Sequence, residues 1–173
     1  RRAREAKGAK VFPFAAVTKG LGGKQITEFG MLAEAGAVAF TDDGLPISDS
    51  QVMRRALSYA KTFDLLISQH AEDLSLSGCG CMAEGEVATR PGLDGIPEIS
   101  ETVMVERDIR LVELTGGRYH VAHISTKGAV DAVRQAKARG LPVSCEAAPH
   151  HFTLNETAIG DYRTFAKMAP PLR

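Results

Sequence analysis

The chain of 173 residues is long enough to form one domain with a sizeable core. Apolar residues make up 44% of it and charged residues 24%, which is ordinary for a soluble globular protein. Its 21 lysine and arginine residues balance its 21 aspartate and glutamate residues, and no apolar run approaches the roughly 18 residues needed to cross a bilayer. We therefore expect neither a nucleic acid nor a membrane as a partner.

The basic N-terminal residues and the three cysteines indicate where the protein is expected to be located. Residues 1–7 are basic, but no apolar signal core follows them, so they predict the end of a helix that begins upstream rather than an export signal. We accordingly expect the chain to be part of a longer polypeptide. Three cysteines at irregular positions do not predict a disulfide framework, and a reducing cytoplasm fits them. Cys79 and Cys81 are expected to be small loop residues, and Cys145 a small core residue.

Strand and helix patterns alternate along the chain. Five short apolar runs predict strands at residues 11–17, 37–41, 65–69, 119–122 and 143–146. Between them, helical patterns are found at residues 27–35 and 100–114, and two further helices are predicted to begin at the caps Ser48 and Ser125. Residues 72–97 form a long glycine-rich connection in which we predict no regular structure, and a loop of that length is typical of a functional segment.

Three successive predicted strands end in a residue that can bind a metal: Asp43, His70 and His123. Serial βα units predict an α/β fold with a parallel sheet, either doubly wound or part of a barrel. The carboxyl ends of barrel strands converge on one mouth, whereas an open sheet spreads them apart. The pattern therefore favours a TIM-type (β/α)8 barrel of the metal-dependent hydrolase kind, incomplete here, with residues 1–173 as a single partial barrel domain.

Imidazole nitrogens and a carboxylate oxygen are suitable ligands for Zn²⁺. Adjacent strand residues face opposite ways, so only one of Asp42 and Asp43 should point to the centre, and spacing alone does not decide which. His120 lies three residues before His123, so we expect it to face the helical layer. The residues whose position leaves both a structural and a functional role open are Glu72, Asp73, His150 and His151.

Five motifs stand in a characteristic order and spacing: Thr-Asp-Asp-Gly at 41–44, Gln-His-Ala-Glu-Asp at 69–73, Ala-His-Ile-Ser-Thr-Lys-Gly-Ala at 122–129, Cys-Glu-Ala-Ala-Pro-His-His at 145–151 and Pro-Pro-Leu-Arg at 170–173. Together they resemble the middle of type I dihydroorotases, a family of the amidohydrolase superfamily. The third motif combined with the last two is specific to that family, while Asp-Asp-Gly alone is not. The resemblance extends over nearly the whole chain.

The resemblance implies a (β/α)8 barrel of which this chain supplies about strands 3 to 7. It implies that Asp43 is the catalytic, metal-bridging carboxylate after the fourth barrel strand, which selects it over Asp42. His70 and His123 would be the metal ligands after the fifth and sixth strands. One or two Zn²⁺ ions would be the cofactor of the intact enzyme.

The same resemblance implies the reaction, a reversible hydrolysis of the cyclic amide of dihydroorotate to N-carbamoyl-L-aspartate in pyrimidine biosynthesis. The family's first-strand His-x-His motif, the nearby substrate-binding arginine and the eighth-strand aspartate have no counterpart in this chain. Because those groups complete the metal site and transfer the proton, we expect the chain alone to be inactive.

Two alternatives remain open. Hydantoinases and allantoinases are related cyclic amidohydrolases, but they typically bridge their metals with a carboxylated lysine where this chain has Asp43. A non-catalytic dihydroorotase-like subunit that scaffolds aspartate carbamoyltransferase is the other alternative, although such subunits usually lose metal ligands. The expected partners are therefore the small-molecule substrate, together with either a second copy of the chain or aspartate carbamoyltransferase.

Overall fold

The computed structural model describes residues 2–173, so Arg1, at the start of the predicted N-terminal helical segment, lies outside the described residues. The strands are β1 (Phe14–Ala15), β2 (Ala39–Phe40), β3 (Leu66–Gln69), β4 (Met82–Ala83), β5 (Gly95–Ile96), β6 (Arg118–Val121) and β7 (Val143–Cys145). The α-helices are α1 (Arg2–Glu5), α2 (Phe29–Glu34), α3 (Ser50–Thr62), α4 (Leu74–Ser77), α5 (Glu86–Thr89), α6 (Ile99–Thr115), α7 (Lys127–Ala138) and α8 (Pro149–Thr153). Short 3₁₀ turns lie at Lys19–Leu21, Glu156–Ile159 and Thr164–Ala166.

The five predicted strands are confirmed and form one parallel sheet in the order β1-β2-β3-β6-β7. Each connection between neighbours carries a helix, as parallel pairing requires. The first strand is shorter than its apolar run, because Pro13 has no N–H for the ladder and Val11 and Phe12 are exposed. The outer strands β1 and β7 each have one edge that no strand of residues 2–173 pairs with.

The core lies between the sheet and the helices α3, α6 and α7. A row of side chains that the register aligns across four strands is buried on this face, at Phe40, Ile67, Tyr119 and Val143. Helix α6 contacts both α3 and α7. Within residues 2–173, none of the helices is both long and apolar enough to span a bilayer.

Both predicted helix caps are wrong by one residue. The cap of α3 is Asp49, whose carboxylate accepts hydrogen bonds from the Gln51 and Val52 amides at 2.7 and 3.0 Å. The cap of α7 is Thr126, whose hydroxyl accepts from the Ala129 amide. Two capping residues stand side by side in each case, and tertiary contacts decide between them.

The prediction of a structureless connection at residues 72–97 is wrong. The segment contains α4, β4, α5 and β5, and its two strands pair in parallel as a separate small sheet. Met82 and Ala88 pack with Ile159 in a second small core. Strands of two residues and helices of four are too short to give a recognisable hydrophobic period.

Cys145 is also placed differently from its prediction as a core residue. Its thiol is free and exposed, although its register partner Val121 is fully buried. The difference arises because Cys145 lies on β7, the last strand of the sheet. Cys79 is an exposed loop residue, as predicted, and the Cys81 thiol lies 3.7 Å from the Asp94 carbonyl oxygen.

A buried polar network crosses the core beneath the sheet. The Asp108 carboxylate accepts hydrogen bonds from the Tyr119 hydroxyl at 2.9 Å and from the Arg107 Nε–H at 2.9 Å. Arg107 also donates to the Ile47 and Ser48 carbonyls at 2.8 and 2.7 Å. Complete burial raises the pKa of Asp108 from 3.8 to about 6, although Arg107 opposes the rise.

The Asp108 network predicts a specific pH dependence of stability. Between pH 4 and 6 the folded chain holds the Asp108 proton while the unfolded chain has lost it, so the free energy of unfolding falls as the pH rises. The titration of Asp108 lowers the free energy of unfolding by up to about 3 kcal/mol over this range, and Asp108→Asn removes this pH dependence. Urea denaturation from pH 4 to 7 measures the free energy of unfolding of the native chain and of the variant. The native value minus the variant value should fall as the pH approaches 6. A difference that is constant or widens would contradict the raised pKa.

Candidate functional site

Asp43, His70 and His123 lie just past the carboxyl ends of β2, β3 and β6. These three strands are consecutive in the sheet order, although β6 is separated from β3 by about 50 residues of chain. Parallel pairing places the three strand ends on the same edge. The topology therefore brings together residues that are distant in sequence.

The three side chains form a compact cluster. The His123 Nε2 lies 3.0 Å from the Asp43 Oδ1 and 3.3 Å from the His70 Nδ1, and the His70 Nδ1 lies 3.9 Å from the Asp43 Oδ1. One ligand-competent atom from each residue lies within 4.8 Å of the other two. The side chains are 5% exposed at His70, 21% at His123 and 50% at Asp43. The cluster thus has a buried side and an open side.

Asp42 and Asp43 take different roles. Asp42 is buried, and its carboxylate accepts hydrogen bonds from the Thr18 amide at 3.0 Å and from the Thr18 hydroxyl. Asp43 is the member of the pair that reaches the two histidines. This geometry agrees with the choice that the family resemblance implies.

Glu72 determines which nitrogen of His70 faces the cluster. The Glu72 carboxylate lies 3.0 Å from the His70 Nε2, and this hydrogen bond lowers the pKa of Glu72. A carboxylate can only accept, so Nε2 carries the proton and the Nδ1 of the neutral ring presents a lone pair to His123 and Asp43. A lone pair, a second imidazole nitrogen and a carboxylate oxygen in one place fit a divalent cation. Glu72 itself is a carboxylate bonded to the far side of a candidate ligand, as is common around metal sites.

The prediction that His120 faces the helical layer is wrong. Tyr119 faces α6, where it bonds Asp108, so its neighbour His120 lies on the opposite face of the sheet. The alternation rule failed because β6 ends at Val121 and His123 has a φ of 35°, outside the strand conformation. The positive φ brings His123 back towards the face that His120 occupies.

Glu101 holds the chain that follows His123, and the sequence pattern gave no reason to single it out. This buried carboxylate accepts hydrogen bonds from the amides of Ser125 and Thr126 at 3.0 Å and from both of their hydroxyls. The Arg173 Nε–H donates to the Ser125 hydroxyl at 3.1 Å. Residues 125 and 126 are therefore anchored directly to the first turn of α6.

His150 and His151 lie on α8, and neither belongs to the donor cluster. The His151 Nε2–H donates to the Pro170 carbonyl at 2.9 Å, and burial lowers the pKa of this histidine. The two rings lie 4.3 Å apart. His151 therefore joins α8 to the Pro-Pro-Leu-Arg segment, while the contacts of His150 leave its role open.

Parallel strands joined by helical crossovers, with functional side chains at the carboxyl ends of the strands, are the arrangement found in (β/α)8 barrels. The structure matches L-hydantoinase (dihydropyrimidinase) from Arthrobacter aurescens with a TM-score of 0.71 and 20% identity, over 92% of this chain and 37% of that one. It matches D-hydantoinase (dihydropyrimidinase) from Thermus sp. with a TM-score of 0.62 and 24% identity, over 99% of this chain and 34% of that one. The chain therefore has the fold of part of a (β/α)8 barrel.

Sequence comparison narrows this class to one family. Residues 1–129 match the family described as Dihydro-orotase-like. The chain is 55% identical over 172 residues to a dihydroorotase from Syntrophotalea carbinolica and 51% identical over 172 residues to one from Desulforapulum autotrophicum. These matches cover 99% of this chain and 40% of each relative. The chain belongs to the dihydro-orotase-like family and spans about 40% of the length of these curated relatives.

The Glu101 anchor predicts a large stability effect from one buried carboxylate. Glu101→Ala leaves several donors without a partner, among them the buried Thr126, so we expect a loss of about 3 kcal/mol in the free energy of unfolding. Glu106→Ala, an exposed position on the same helix, is the matched control and should change little. Urea denaturation followed by circular dichroism measures both. Equal effects of the two variants would exclude the anchoring role.

Proposed function

We propose that residues 1–173 form one partial barrel domain of a dihydroorotase, in which Asp43, His70 and His123 bind Zn²⁺. The observation that carries the proposal is the convergence of these three donor atoms within 4.8 Å at one sheet edge. The proposed reaction is the reversible opening of the dihydroorotate ring to N-carbamoyl-L-aspartate, as a cytoplasmic step of pyrimidine biosynthesis.

The chemistry divides between the ion and the residues of this chain. A bound divalent ion polarises the carbonyl group of a cyclic amide. Glu72 keeps the Nδ1 lone pair of His70 directed at the site, because it accepts the proton of the opposite nitrogen. The half-exposed Asp43 carboxylate lies on the solvent side, where it would hold the ion and would also accept hydrogen bonds from groups of the substrate.

Two features favour dihydroorotase over the alternatives. The relatives named dihydroorotase share 51–55% identity with this chain, whereas the hydantoinases share 20–24%. A carboxylate, Asp43, occupies the position at which the resemblance places the bridging group. The arrangement of all three donors argues against a subunit that only scaffolds aspartate carbamoyltransferase, since such a role places no demand on ligand geometry.

The metal assignment predicts that this chain binds one zinc ion per molecule. Asp43→Asn, His70→Ala and His123→Ala should each weaken zinc binding by at least about tenfold, because each removes one of three ligands. Isothermal titration calorimetry gives the affinity, and the absorption spectrum of bound Co²⁺ reports the coordination geometry.

Asp64→Asn is the control for the zinc experiment. Asp64 is an exposed carboxylate paired with Arg118, so its neutralisation changes net charge as Asp43→Asn does but leaves the cluster intact. Zinc affinity that is equal in the native chain and in both histidine variants would refute the metal site.

A chimera tests the reaction itself. This chain replaces the 172 matching residues of the Syntrophotalea carbinolica dihydroorotase, whose remaining 60% supplies the rest of the protein. We expect the chimera to hydrolyse dihydroorotate within about tenfold of the host enzyme, since the exchanged segments are 55% identical. Asp43→Ala in the chimera should abolish turnover, and Asp64→Asn should not.

The outcomes of the chimera experiment separate the three functions. Turnover of hydantoin with none of dihydroorotate would identify a hydantoinase-type segment. A monodisperse chimera that binds aspartate carbamoyltransferase but neither zinc nor substrate would support the scaffold. Ultraviolet absorbance follows the cyclic amides, and size-exclusion chromatography reports the complexes.

A further inference from the structure

His123 adopts a backbone conformation that its residue type disfavours. Its φ of 35° lies in the left-handed region, which is unfavourable for a residue with a Cβ because the Cβ comes too close to the following carbonyl oxygen. Such a conformation persists only where surrounding contacts hold it, and it is frequent at functional sites. A group of this chain is therefore expected to hold the backbone of His123 in place.

Glu146 contacts the chain on both sides of His123. Its amide donates to the Val121 carbonyl at 3.2 Å, and its carbonyl accepts from the Ile124 amide at 2.8 Å. Between these two contacts, the Glu146 Oε1 accepts a hydrogen bond from the His123 amide. Because β6 ends at Val121, the His123 amide lies beyond the paired strand, and the Glu146 carboxylate supplies its acceptor.

The carboxylate of Glu146 is itself oriented by a chain of polar side chains. Its Oε2 accepts from the His120 Nε2–H, and the His120 Nδ1 lies 2.8 Å from the Ser144 Oγ. Because the carboxylate can only accept, His120 carries its proton on Nε2 and the Ser144 hydroxyl donates to Nδ1. His120 and Ser144 are register partners on β6 and β7, so the sheet fixes their separation.

We propose that Glu146, oriented by His120 and Ser144, is a positioning residue that sets the His123 imidazole beside His70 and Asp43. The Glu146 side chain is 53% exposed, so it contributes little to the packed core. Its contacts are instead concentrated on the backbone that presents one member of the donor cluster. This role rests on the proposed function and deepens it, since it assigns the geometry of one proposed zinc ligand to a residue outside the donor cluster.

The experiment compares Glu146→Ala, Glu146→Gln and His120→Ala in the full chain with the control Glu113→Ala. Glu113 is a half-exposed glutamate that pairs with Arg139 at 3.2 Å and lies away from the site on α6. Three quantities are measured: the zinc dissociation constant by calorimetry, the free energy of unfolding in urea, and the hydrogen exchange and chemical shift of the His123 amide in the metal-free chain by NMR.

Glu146→Ala should weaken zinc binding by about 10- to 100-fold, as the loss of an orienting partner does at metal sites. Its unfolding free energy should stay close to that of Glu113→Ala, and the His123 amide should lose its exchange protection. Glu146→Gln retains an acceptor for that amide and should recover most of the affinity. His120→Ala should give a smaller loss, because Glu146 remains but is free to rotate.

Three results would overturn the positioning role. In the first, Glu146→Ala leaves both the zinc affinity and the His123 amide unchanged. In the second, zinc affinity and the free energy of unfolding fall together in Glu146→Ala, and Glu146→Gln does not restore them. In the third, Glu146→Ala does not fold and His120→Ala leaves the His123 amide unperturbed. If the native chain binds no zinc, the proposed function fails separately, while the amide of the metal-free chain still decides the role of Glu146.

Discussion

Parallel pairing of β2, β3 and β6 is the constraint on which the site depends. It places the ends of three strands on one edge, although the residues that follow them are distributed over 80 positions of sequence. The pairing is secured from the helical side, where Phe40, Ile67 and Tyr119 form one buried row. The apolar core therefore determines where the polar cluster can assemble, because the pattern of buried residues specifies the register of the strands.

At two of the three strand ends, the residue of the donor cluster directly follows a buried polar residue whose side chain hydrogen-bonds to another segment of backbone. Asp42 binds Thr18 and leaves Asp43 free to face the histidines. Gln69 accepts from the Ile47 amide at 3.2 Å and precedes His70 directly. Structural and chemical roles are thus divided between neighbours in sequence, since adjacent residues at a strand end face opposite sides. Buried side-chain hydrogen bonds of this kind fix a turn that the sheet ladder no longer supports.

The five strands of the main sheet were predictable from the sequence, and so was the proximity of Asp43, His70 and His123, although their role as metal ligands stays a prediction. Buried parallel strands are continuous apolar runs, and their ends are the positions where polar residues begin. The errors fall where one residue decides the outcome. The cap of α3 is Asp49 and not Ser48, and the φ of His123 turns that residue towards the face on which His120 lies, so alternation along the strand no longer separates the two histidines. No periodicity can announce a positive φ at a histidine. Glu146 could have been noticed, since it directly follows β7 in the same position that His70 takes after β3.

The exposure gradient across the cluster indicates how it would work. His70 is enclosed and held by Glu72, His123 is partly covered, and Asp43 is open. An enclosed ligand keeps its geometry as the site changes charge, whereas an open carboxylate can exchange partners with solvent or substrate. The buried side therefore provides rigidity and the open side provides access. In such a site the more exposed histidine gains most from being held through its backbone, and Glu146 bonds the backbone amide of that residue, His123.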